Sequence, residues 1–533
     1  MAVPVTTCEN RFVLAQKMFH PSGEMRKVPQ GNGNGHGAGG LLQPSEKRTT
    51  PPPHASAPAS ELKESRVMFQ THDGLELQGV PVRVTRHHVV FELYNPGTAP
   101  RLSEAINEFV IILQTRTVYS GRAVVRNVVD AGSKMVCDAS LDETRWLDLS
   151  ADLVVKCDDQ LVGEFNKFVK EWQKLYRVLP EFKEAVTDIE MFLTDLRIWL
   201  EQVELGVHSQ PEYRRAPLEQ AVIKKISPNI IPLINGLFER FELIAKKLNE
   251  DTYPAHRNYI QRHLHPIVLC APFAHRAYQK PLGYAGDYEM VNMMTRNAQE
   301  GASLFAKIFN VWLVQQGSAA AHRNRLTYLT KCIEMETLRV GREKRKARIF
   351  NFACGPAVEV QQFLDYSPLS DQVEFTLVDF DSETLAHTQK AINSIKERFG
   401  WRTSVQFLKQ SVLQLIKEGH RPMATGDKTD HEFDFIYCAG LFDYLTDHAC
   451  KQMIKIFYHW LAPGGLLVVT NVTPLTSNRG SLELILDWHL IYRDAAQLKQ
   501  VCSGIIPEDE VRIKSDKTGI NIFMEARKSN HGQ

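Results

Sequence analysis

The stretch Arg348-Ile349-Phe350-Asn351-Phe352-Ala353-Cys354-Gly355-Pro356-Ala357 decides the fold of this chain. A basic residue and a short apolar run predict a buried parallel strand that ends in a turn of small residues. A helical pattern follows from Val358 to Leu364. Small side chains let the backbone approach a ligand closely, and the start of the next helix offers free N–H groups. The stretch therefore predicts a ligand-binding turn between a strand and a helix.

An acidic residue marks the end of the next predicted strand. Val373–Val378 is apolar in pattern and leads to Asp379, 24 residues beyond Gly355. A carboxylate at this place can accept hydrogen bonds from both hydroxyls of a ribose, as in nucleotide-binding Rossmann folds. The spacing alone would also suit NAD, but the loop lacks the three glycines of a pyrophosphate-binding turn. We expect Asp379 to bind a ribose.

Further strands complete the pattern of a known family. Val405–Leu408, Phe433–Gly440 and Leu461–Val469 follow in order, and a hairpin over 510–524 adds two strands. With these signals, Lys344 to Lys528 resembles the class I S-adenosylmethionine-dependent methyltransferases. The resemblance implies a Rossmann-like seven-stranded α/β domain, S-adenosylmethionine as cofactor, and a turn at Pro463–Gly465 before the fifth strand.

That resemblance also implies roles for particular residues. The first loop would border the methionine part of the cofactor, and the residues after the third strand would meet the adenine. Many methyltransferases have an acid there, whereas this chain has Gln410 and Ser411, so Gln410 or backbone groups would recognise the adenine. The expected cofactor-binding residues are Asn351, Ala353, Cys354, Gly355, Ala357, Asp379, Gln410, Ser411, Ala439 and Gly440. Asp443 and Tyr444 follow the fourth strand, where acceptors enter this fold, and are candidate substrate residues.

The region from His265 to Lys528 has a narrower resemblance. The runs Pro281–Tyr288, His322–Arg325 and Trp488–Arg493 resemble the extracellular factor 3-hydroxypalmitic acid methyl ester biosynthesis proteins. Members of that family are taken to methylate the carboxylate of a 3-hydroxy fatty acid. The resemblance therefore implies a small-molecule acceptor and methyl ester formation.

The chemistry of the acceptor decides which side chains are needed. A carboxylate is a nucleophile at neutral pH and needs a cationic anchor, for which Arg325 and Arg493 are candidates. An amine or hydroxyl acceptor would instead need a base, for which His489 or Tyr284 could serve.

The run Pro281–Tyr288 has neither helical nor strand periodicity. Its two glycines bracket aromatic residues and an acid, which is typical of a tight, ordered loop. If the run is a lid, Tyr284 and Asp287 reach the cofactor or the acceptor; if it is a plain connector, they do not.

The chain as a whole is expected to be multidomain. Alternating apolar residues at regular spacing after Ser65 predict a small all-β barrel, which resembles the PilZ superfamily. Arg83 and Arg86 would match that family's arginine pair, but its later Asp/Asn-x-Ser-x-x-Gly is missing, which favours an interaction or dimerisation module. The expected order is a disordered tail (1–64), the PilZ-like barrel (65–150), a helical domain (151–265), a lid or connector (266–343) and the methyltransferase domain (344–528).

Composition limits the remaining alternatives. Lys and Arg number 63 against 62 for Asp and Glu, so bulk charge suggests no nucleic-acid partner. The sequence shows no membrane span or secretory signal, and a cytoplasmic protein is expected. Nine scattered cysteines and histidines without carboxylate pairing predict no metal site. The competing function is regulatory, with the barrel sensing a ligand and the α/β domain binding a cofactor.

Overall fold

The protein is described here from a computed structural model. It describes residues 65–71, 74–94, 100–113, 116–130, 134–142, 145–147, 163, 165–166, 169, 178–249, 252–296, 299–418 and 433–529. The expected disordered tail and most of residues 161–179, the first part of the expected helical domain with a helical apolar pattern, lie outside these residues.

The barrel is closed and antiparallel. Its strands are β1 (Arg66–Gln70), β2 (Glu76–Val84), β3 (His88–Tyr94), β4 (Ala105–Leu113), β5 (Arg116–Asp130) and β6 (Lys134–Leu141). They follow the order β1-β2-β3-β6-β5-β4, and β1 closes the barrel by pairing with β4. Phe69, Phe91 and Phe109 meet in its core with ring centroids 5.4 to 5.6 Å apart. The expected small all-β barrel is confirmed.

Two long helices follow the barrel. The helix α1 spans Pro180–His208 and α2 spans Glu212–Ala245. Phe182 near the start of α1 contacts Phe241 near the end of α2, with ring centroids 5.6 Å apart. The two helices are therefore antiparallel.

The helix α2 corrects a boundary expected from the sequence. Its pattern suggests that a helix begins only after Pro232, but α2 continues through Pro217, Pro228 and Pro232. All three prolines are exposed, so solvent can hydrate the carbonyl groups that lose their intrahelical partners.

Five shorter or medium helices connect this pair to the sheet. They are α3 (Tyr253–Val268), α4 (Pro272–Gln279), α5 (Tyr288–Arg296), α6 (Leu304–Val314) and α7 (Gly317–Gly341). Phe273, Phe309 and Trp312 are buried in one apolar core with Phe182 and Phe241 of the long pair. None of the helices in the described part of the chain is long and apolar enough to cross a membrane.

The C-terminal region is a seven-stranded α/β sheet. Its strands are β7 (Ala347–Phe352), β8 (Val373–Asp379), β9 (Ser404–Lys409), β10 (Phe433–Cys438), β11 (Leu461–Val472), β12 (Val511–Ser515) and β13 (Asn521–Arg527). The strand order is β12-β13-β11-β10-β7-β8-β9. The strands β7 to β11 pair in parallel, whereas β13 is antiparallel to both neighbours. This confirms the fold expected of a class I methyltransferase.

The helices of this domain connect its strands. They are α8 (Val358–Tyr366), α9 (Ser382–Phe399), α10 (Val412–Glu418), α11 (Asp447–Trp460) and α12 (Ala495–Cys502). One expected boundary is wrong: Pro463–Gly465 lies within β11 and does not precede it. The pairing of β11 with β10 shifts register there, and Gly464 has a φ of 70°, so the turn is a bulge inside the strand.

A buried carboxylate joins the regions. Asp487 accepts two hydrogen bonds from Arg257 of α3, at 2.5 and 2.6 Å, and lies 3.5 Å from Arg122 of the barrel. Burial alone would raise the pKa of Asp487, but Arg257, Lys280 and Arg122 hold it well below its usual range. The segment between β11 and α12 is therefore bound to both the helices and the barrel.

Candidate active site

A cavity of about 700 Å³ lies beside the carboxyl ends of β7, β8 and β10. In the sheet, β7 lies between β8 and β10, so the connections run to opposite sides of β7. Open α/β sheets bind ligands at such a switch point. The volume falls in the range of about 300–1,000 Å³ typical of small-molecule sites. Residues of the barrel, of α2 and of α4 to α7 complete its walls.

The loop after β7 presents its backbone to this cavity. Ala353, Gly355 and Ala357 have left-handed φ values of 57°, 52° and 47°. Such a conformation costs alanine about 1–3 kcal/mol, and it often marks functional turns. Backbone hydrogen bonds from Cys354 N–H to Val378 and from Ala357 N–H to Cys354, at 3.0 and 2.9 Å, fix the turn. A Cβ on Gly355 would meet no atom within 4 Å, so a side chain there would project into open space.

Asp379 is the last residue of β8 and lies in the cavity wall, 4% exposed. Its carboxylate accepts hydrogen bonds from the Gly355 N–H (3.0 Å) and the Asp381 N–H (3.1 Å). Burial raises its pKa, and these two N–H groups oppose the rise. Asp381, not Asp379, caps α9 by accepting from Thr384 N–H at 2.6 Å. Each Asp379 oxygen therefore keeps acceptor capacity for a ligand hydroxyl.

Gln410 and Ser411 follow β9 and line the same end of the cavity. The Ser411 hydroxyl accepts from Gln414 N–H at 3.3 Å, so it caps the first turn of α10. The Gln410 side-chain oxygen is buried and has no hydrogen-bond partner among the residues described. A ligand amino group could satisfy it.

A buried cation lies at the other end. Arg325 of α7 is 9% exposed, and its Nη2 donates to His322 Nδ1 at 2.7 Å. Its Nε has no partner within the described ranges. The guanidinium packs on Gly440, where an added Cβ would lie 3.0 Å from both terminal nitrogens. Burial lowers the pKa of Arg325, and Asp443 and Glu359 oppose this by charge without forming an ion pair with it. Arg325 is thus a buried cation in the cavity wall, and no carboxylate among the described residues pairs with it.

The histidine beside this cation is neutral. His322 is buried, and burial together with the charges of Arg325 and Arg323 lowers its pKa well below the usual value. A neutral ring can accept the Arg325 hydrogen bond through Nδ1, which leaves Nε2 as a donor. Nε2 lacks a partner in the part of the chain that the structure describes.

Glu359, in the first turn of α8, is also part of the cavity wall. It is 4% exposed and accepts from the Tyr437 hydroxyl at 2.8 Å and from Asn351 Nδ2 at 3.1 Å. Burial raises the pKa of Glu359. The hydrogen bond to Glu359 fixes the Asn351 side chain at the end of β7. The Asn351 side-chain oxygen has no hydrogen-bond partner among the described groups.

The loop after β10 contacts the end of β11, the 281–288 loop and Trp488. Asp443 accepts from Val472 N–H at 2.6 Å, and burial raises its pKa to about 6 against the charges of two nearby arginines. The Tyr444 hydroxyl accepts from Trp488 Nε1 (2.8 Å) and donates to the Ala285 carbonyl (3.2 Å). Both Asp443 and Tyr444 line the cavity.

The run at 281–288 is an irregular loop, as the sequence indicates. Its Gly283 carbonyl accepts from the Ala105 N–H of the barrel at 2.8 Å. Tyr284 lines the cavity with its ring 5.2 Å from that of Phe380. Burial raises the pKa of Tyr284, so its hydroxyl stays protonated near neutral pH and is poorly suited to remove a proton from an acceptor. The structure brings Tyr284 to the site.

Asp287 lies elsewhere. Its carboxylate forms an ion pair with Arg276 at 2.8 Å and accepts from the N–H groups of Glu289 and Met290 at 3.1 and 3.0 Å. It is 1% exposed, and it is not part of the cavity wall. The structure therefore does not bring Asp287 to the cavity, because its carboxylate caps the start of α5.

Arg493 is likewise committed to the protein. Its guanidinium donates to the carbonyls of Phe442 (2.7 Å) and Leu445 (2.6 Å), to Asn471 Oδ1 (2.8 Å) and to Asp447 (2.7 Å). It lies outside the cavity wall. The structure therefore does not bring Arg493 to the cavity, because its donors hold the loop after β10.

His489 also lies outside the cavity wall. Its backbone N–H donates to the Ser103 hydroxyl of the barrel at 2.6 Å, and burial lowers the pKa of its ring to about 3. The structure therefore does not bring the buried His489 ring to the cavity.

The other expected site residues share the cavity wall, and their roles stay predictions. They are Tyr284, Arg325, Asn351, Ala353, Cys354, Gly355, Ala357, Asp379, Gln410, Ser411, Ala439, Gly440, Asp443 and Tyr444. His322, Glu359 and Trp488 were missed as site residues. Glu359 could have been found as an acid in the first turn after the loop. His322 and Trp488 begin two of the runs that carry the narrower resemblance, but nothing in those runs distinguishes them as lining residues. No group of three or more His, Cys, Asp or Glu side chains in the described ranges could hold a metal ion.

Comparisons with known proteins give weak overall similarity. No protein-family model and no curated protein matches the chain. A structure from Bordetella parapertussis described as a possible exported protein is 17% identical, covering 60% of this chain and 98% of that one, with a TM-score of 0.35. Magnesium protoporphyrin IX methyltransferase from Synechocystis PCC 6803 with bound SAH is 12% identical. The match covers 45% of this chain and 93% of that one, with a TM-score of 0.30. An O-methyltransferase family protein from Burkholderia thailandensis is 14% identical. The match covers 54% of this chain and 75% of that one, with a TM-score of 0.29. The fold assignment therefore depends on the strand order.

Proposed function

We propose that this chain is an S-adenosylmethionine-dependent methyltransferase that forms a methyl ester on the carboxylate of a hydrophobic acid, with 3-hydroxy fatty acids as the expected class. The observation that supports this most is Arg325. It is a buried guanidinium in the wall of the cavity that also contains Asp379 and the loop after β7, and no carboxylate among the described residues pairs with it.

The cofactor would occupy the end of the cavity near β7, β8 and β9. Asp379 would accept hydrogen bonds from the ribose hydroxyls, and the unpaired oxygen of Gln410 would accept from the adenine amino group. The left-handed turn at 353–357 would let the methionine part approach the backbone. This arrangement would direct the sulfonium methyl group toward the interior of the cavity.

The acceptor would occupy the other end. The Arg325 fork can hold a carboxylate through two parallel hydrogen bonds. Much of the remaining wall is apolar and aromatic, with Asn235, Glu239 and Glu242 of α2 as polar members; the apolar side chains are those of Phe238, Phe273, Met294, Trp312, Leu313 and Leu482. This lining suits an acyl chain, since burying its methylene groups contributes about 0.8 kcal/mol each.

The reaction is a displacement at the methyl carbon. A carboxylate oxygen attacks the carbon, an O–CH₃ bond forms, and the S–CH₃ bond breaks with its electron pair going to sulfur. The products are the methyl ester and S-adenosylhomocysteine, and no proton is transferred, because the acceptor is already ionised. The protein must therefore orient the two substrates and exclude water.

A transfer assay tests the proposal. The full chain would be incubated with methyl-labelled S-adenosylmethionine and either 3-hydroxyhexadecanoic acid or the diol with the same carbon chain. We expect label in a base-labile methyl ester from the acid and none from the diol. Transfer to the diol, or no transfer to any long-chain acid, would contradict ester formation.

A hydroxyl or amine acceptor is the second candidate, and Asp443 favours it. This carboxylate lines the cavity, and its pKa is raised to about 6, which suits a general base near neutral pH. In that case, the rate would fall as pH decreases through about 6, whereas transfer to an ionised fatty acid needs no base. The pH–rate profile of the preferred acceptor distinguishes the two candidates.

A further inference from the structure

We propose that the barrel is part of the cofactor site, with Arg101 as a positioning residue that holds Phe380 and supports Asp379 with a positive charge. The proposal rests on the proposed cofactor. It gives the barrel a role in the methyltransferase site itself, in place of a detached interaction or sensing module.

The barrel is bound to two walls of the cavity. The Ala105 N–H at the start of β4 donates to Gly283 O in the 281–288 loop at 2.8 Å. The Ser103 hydroxyl accepts from the His489 N–H at 2.6 Å, and Ser103 has a left-handed φ of 64°. Ser103 is fully buried. The connection before β4, residues 100–104, is therefore fixed against segments nearly two hundred and nearly four hundred residues later in the chain.

This connection places Arg101 at the cofactor end. The Arg101 guanidinium carbon lies 3.4 Å from the centroid of the Phe380 ring, and Phe380 directly follows Asp379. The Arg101 N–H donates to Glu104 at 2.6 Å, which fixes the backbone of the turn. Tyr284 contacts Phe380 with ring centroids 5.2 Å apart. Arg101, Phe380 and Tyr284 all line the cavity, so three distant segments meet beside Asp379.

The charge of Arg101 reaches Asp379. Burial raises the pKa of Asp379, Asp381 raises it further, and the Arg101 guanidinium lowers it. The titratable groups that act on Asp379 or respond to its charge in the described ranges are Arg101, Tyr284, Cys354, Asp381 and Cys438. Arg101 is the cation among them. An ionised Asp379 is the stronger acceptor for ribose hydroxyls, because hydrogen bonds to a charged group are stronger than those to a neutral one.

Removing this cation should make cofactor binding more sensitive to acid. Without Arg101 the pKa of Asp379 would rise further, so the ionised form would be lost at a higher pH as the solution is acidified. The affinity for S-adenosylhomocysteine would then fall as pH decreases, over a range in which the unchanged protein still binds.

Calorimetric titration of S-adenosylhomocysteine into the full chain tests this. The proteins would be wild type, Arg101→Gln, Arg101→Lys and the control Arg83→Gln, which changes an exposed barrel arginine. Titrations at about pH 8 and about pH 5 compare a pH far above the ordinary pKa of an aspartate with one closer to it. We expect the affinity of Arg101→Gln relative to wild type to be several-fold lower at the lower pH and nearly equal at the higher pH. Arg101→Lys should recover part of the loss, and Arg83→Gln should match wild type.

The outcomes separate this inference from the proposed function. If wild type binds no S-adenosylhomocysteine, the proposed function fails and this inference with it. If wild type binds but Arg101→Gln binds equally well, or loses the same affinity at both pH values, the role of Arg101 is overturned and the proposed function stands.

Discussion

The two ends of the cavity are built in different ways. The cofactor end consists of short connections after β7, β8 and β9, and its main contacts join neighbouring loops, such as Gly355 N–H to Asp379. The proposed acceptor end collects side chains from α2, α4 to α7 and the segment after β11. A site of the first kind follows from strand and loop patterns, whereas a site of the second kind depends on packing between distant segments.

Substitutions of Arg493 and Arg325 test this difference between the two ends. The largest expected effect is the loss of stability on replacing Arg493. Arg493→Met removes the donors to Phe442 O, Leu445 O and Asn471, each of which costs about 1–3 kcal/mol when buried and unpaired. We expect the free energy of unfolding to fall by about 3–5 kcal/mol, seen as a lower melting temperature. A variant with unchanged melting temperature and selective loss of acid methylation would mean that Arg493 is the anchor after all.

Arg325→Met should have the next largest effect, and on activity. Losing a charged anchor should lower kcat/KM for a long-chain acid by about 100-fold, or ~2.7 kcal/mol. The melting temperature should stay equal or rise, because the variant no longer buries a cation without a carboxylate partner. Affinity for S-adenosylhomocysteine should not change. Equal losses of cofactor affinity and acid turnover would show that the two ends are not separate.

Tyr284 and Asp287 sharpen the comparison within one loop. Tyr284→Ala should lower turnover by about tenfold, or ~1.4 kcal/mol, with little change in melting temperature, since its ring lies in the cavity wall. Asp287→Ala should instead lower stability, because it removes a helix cap worth about 0.5–2 kcal/mol and a buried partner of Arg276. Melting curves and turnover per folded molecule, measured on both variants, check this. Lost stability in Tyr284→Ala together with lost turnover in Asp287→Ala would instead favour a connector role for Tyr284 and a site role for Asp287.

The sheet and the cofactor end could be predicted from the sequence. Each apolar run became a strand within a few residues, and Asp379 lies at the end of β8 as expected. Parallel strands buried on both faces have continuous apolar sequences, and the turns between them need small residues. These signals come from residues that are close in sequence, so a single sequence is enough to recognise them.

The acceptor end could not be predicted in the same way. Arg325 and Arg493 look equivalent in the sequence, and only their partners distinguish them: four protein acceptors for Arg493, a neutral histidine for Arg325. The contact of Arg101 with Phe380 joins residues 279 positions apart, for which no local pattern exists. The continuation of α2 through Pro232 depended on which face of the helix is exposed.

Binding of S-adenosylhomocysteine by wild type and Asp379→Ala tests the central claim most directly. The claim is that Asp379 and the left-handed loop at 353–357 form the cofactor site. We predict that wild type binds and that Asp379→Ala, while folded, loses about 1.5–3 kcal/mol of binding free energy, or roughly 10- to 150-fold in Kd. Equal affinity of the two proteins, measured by calorimetry near neutral pH, would contradict the account.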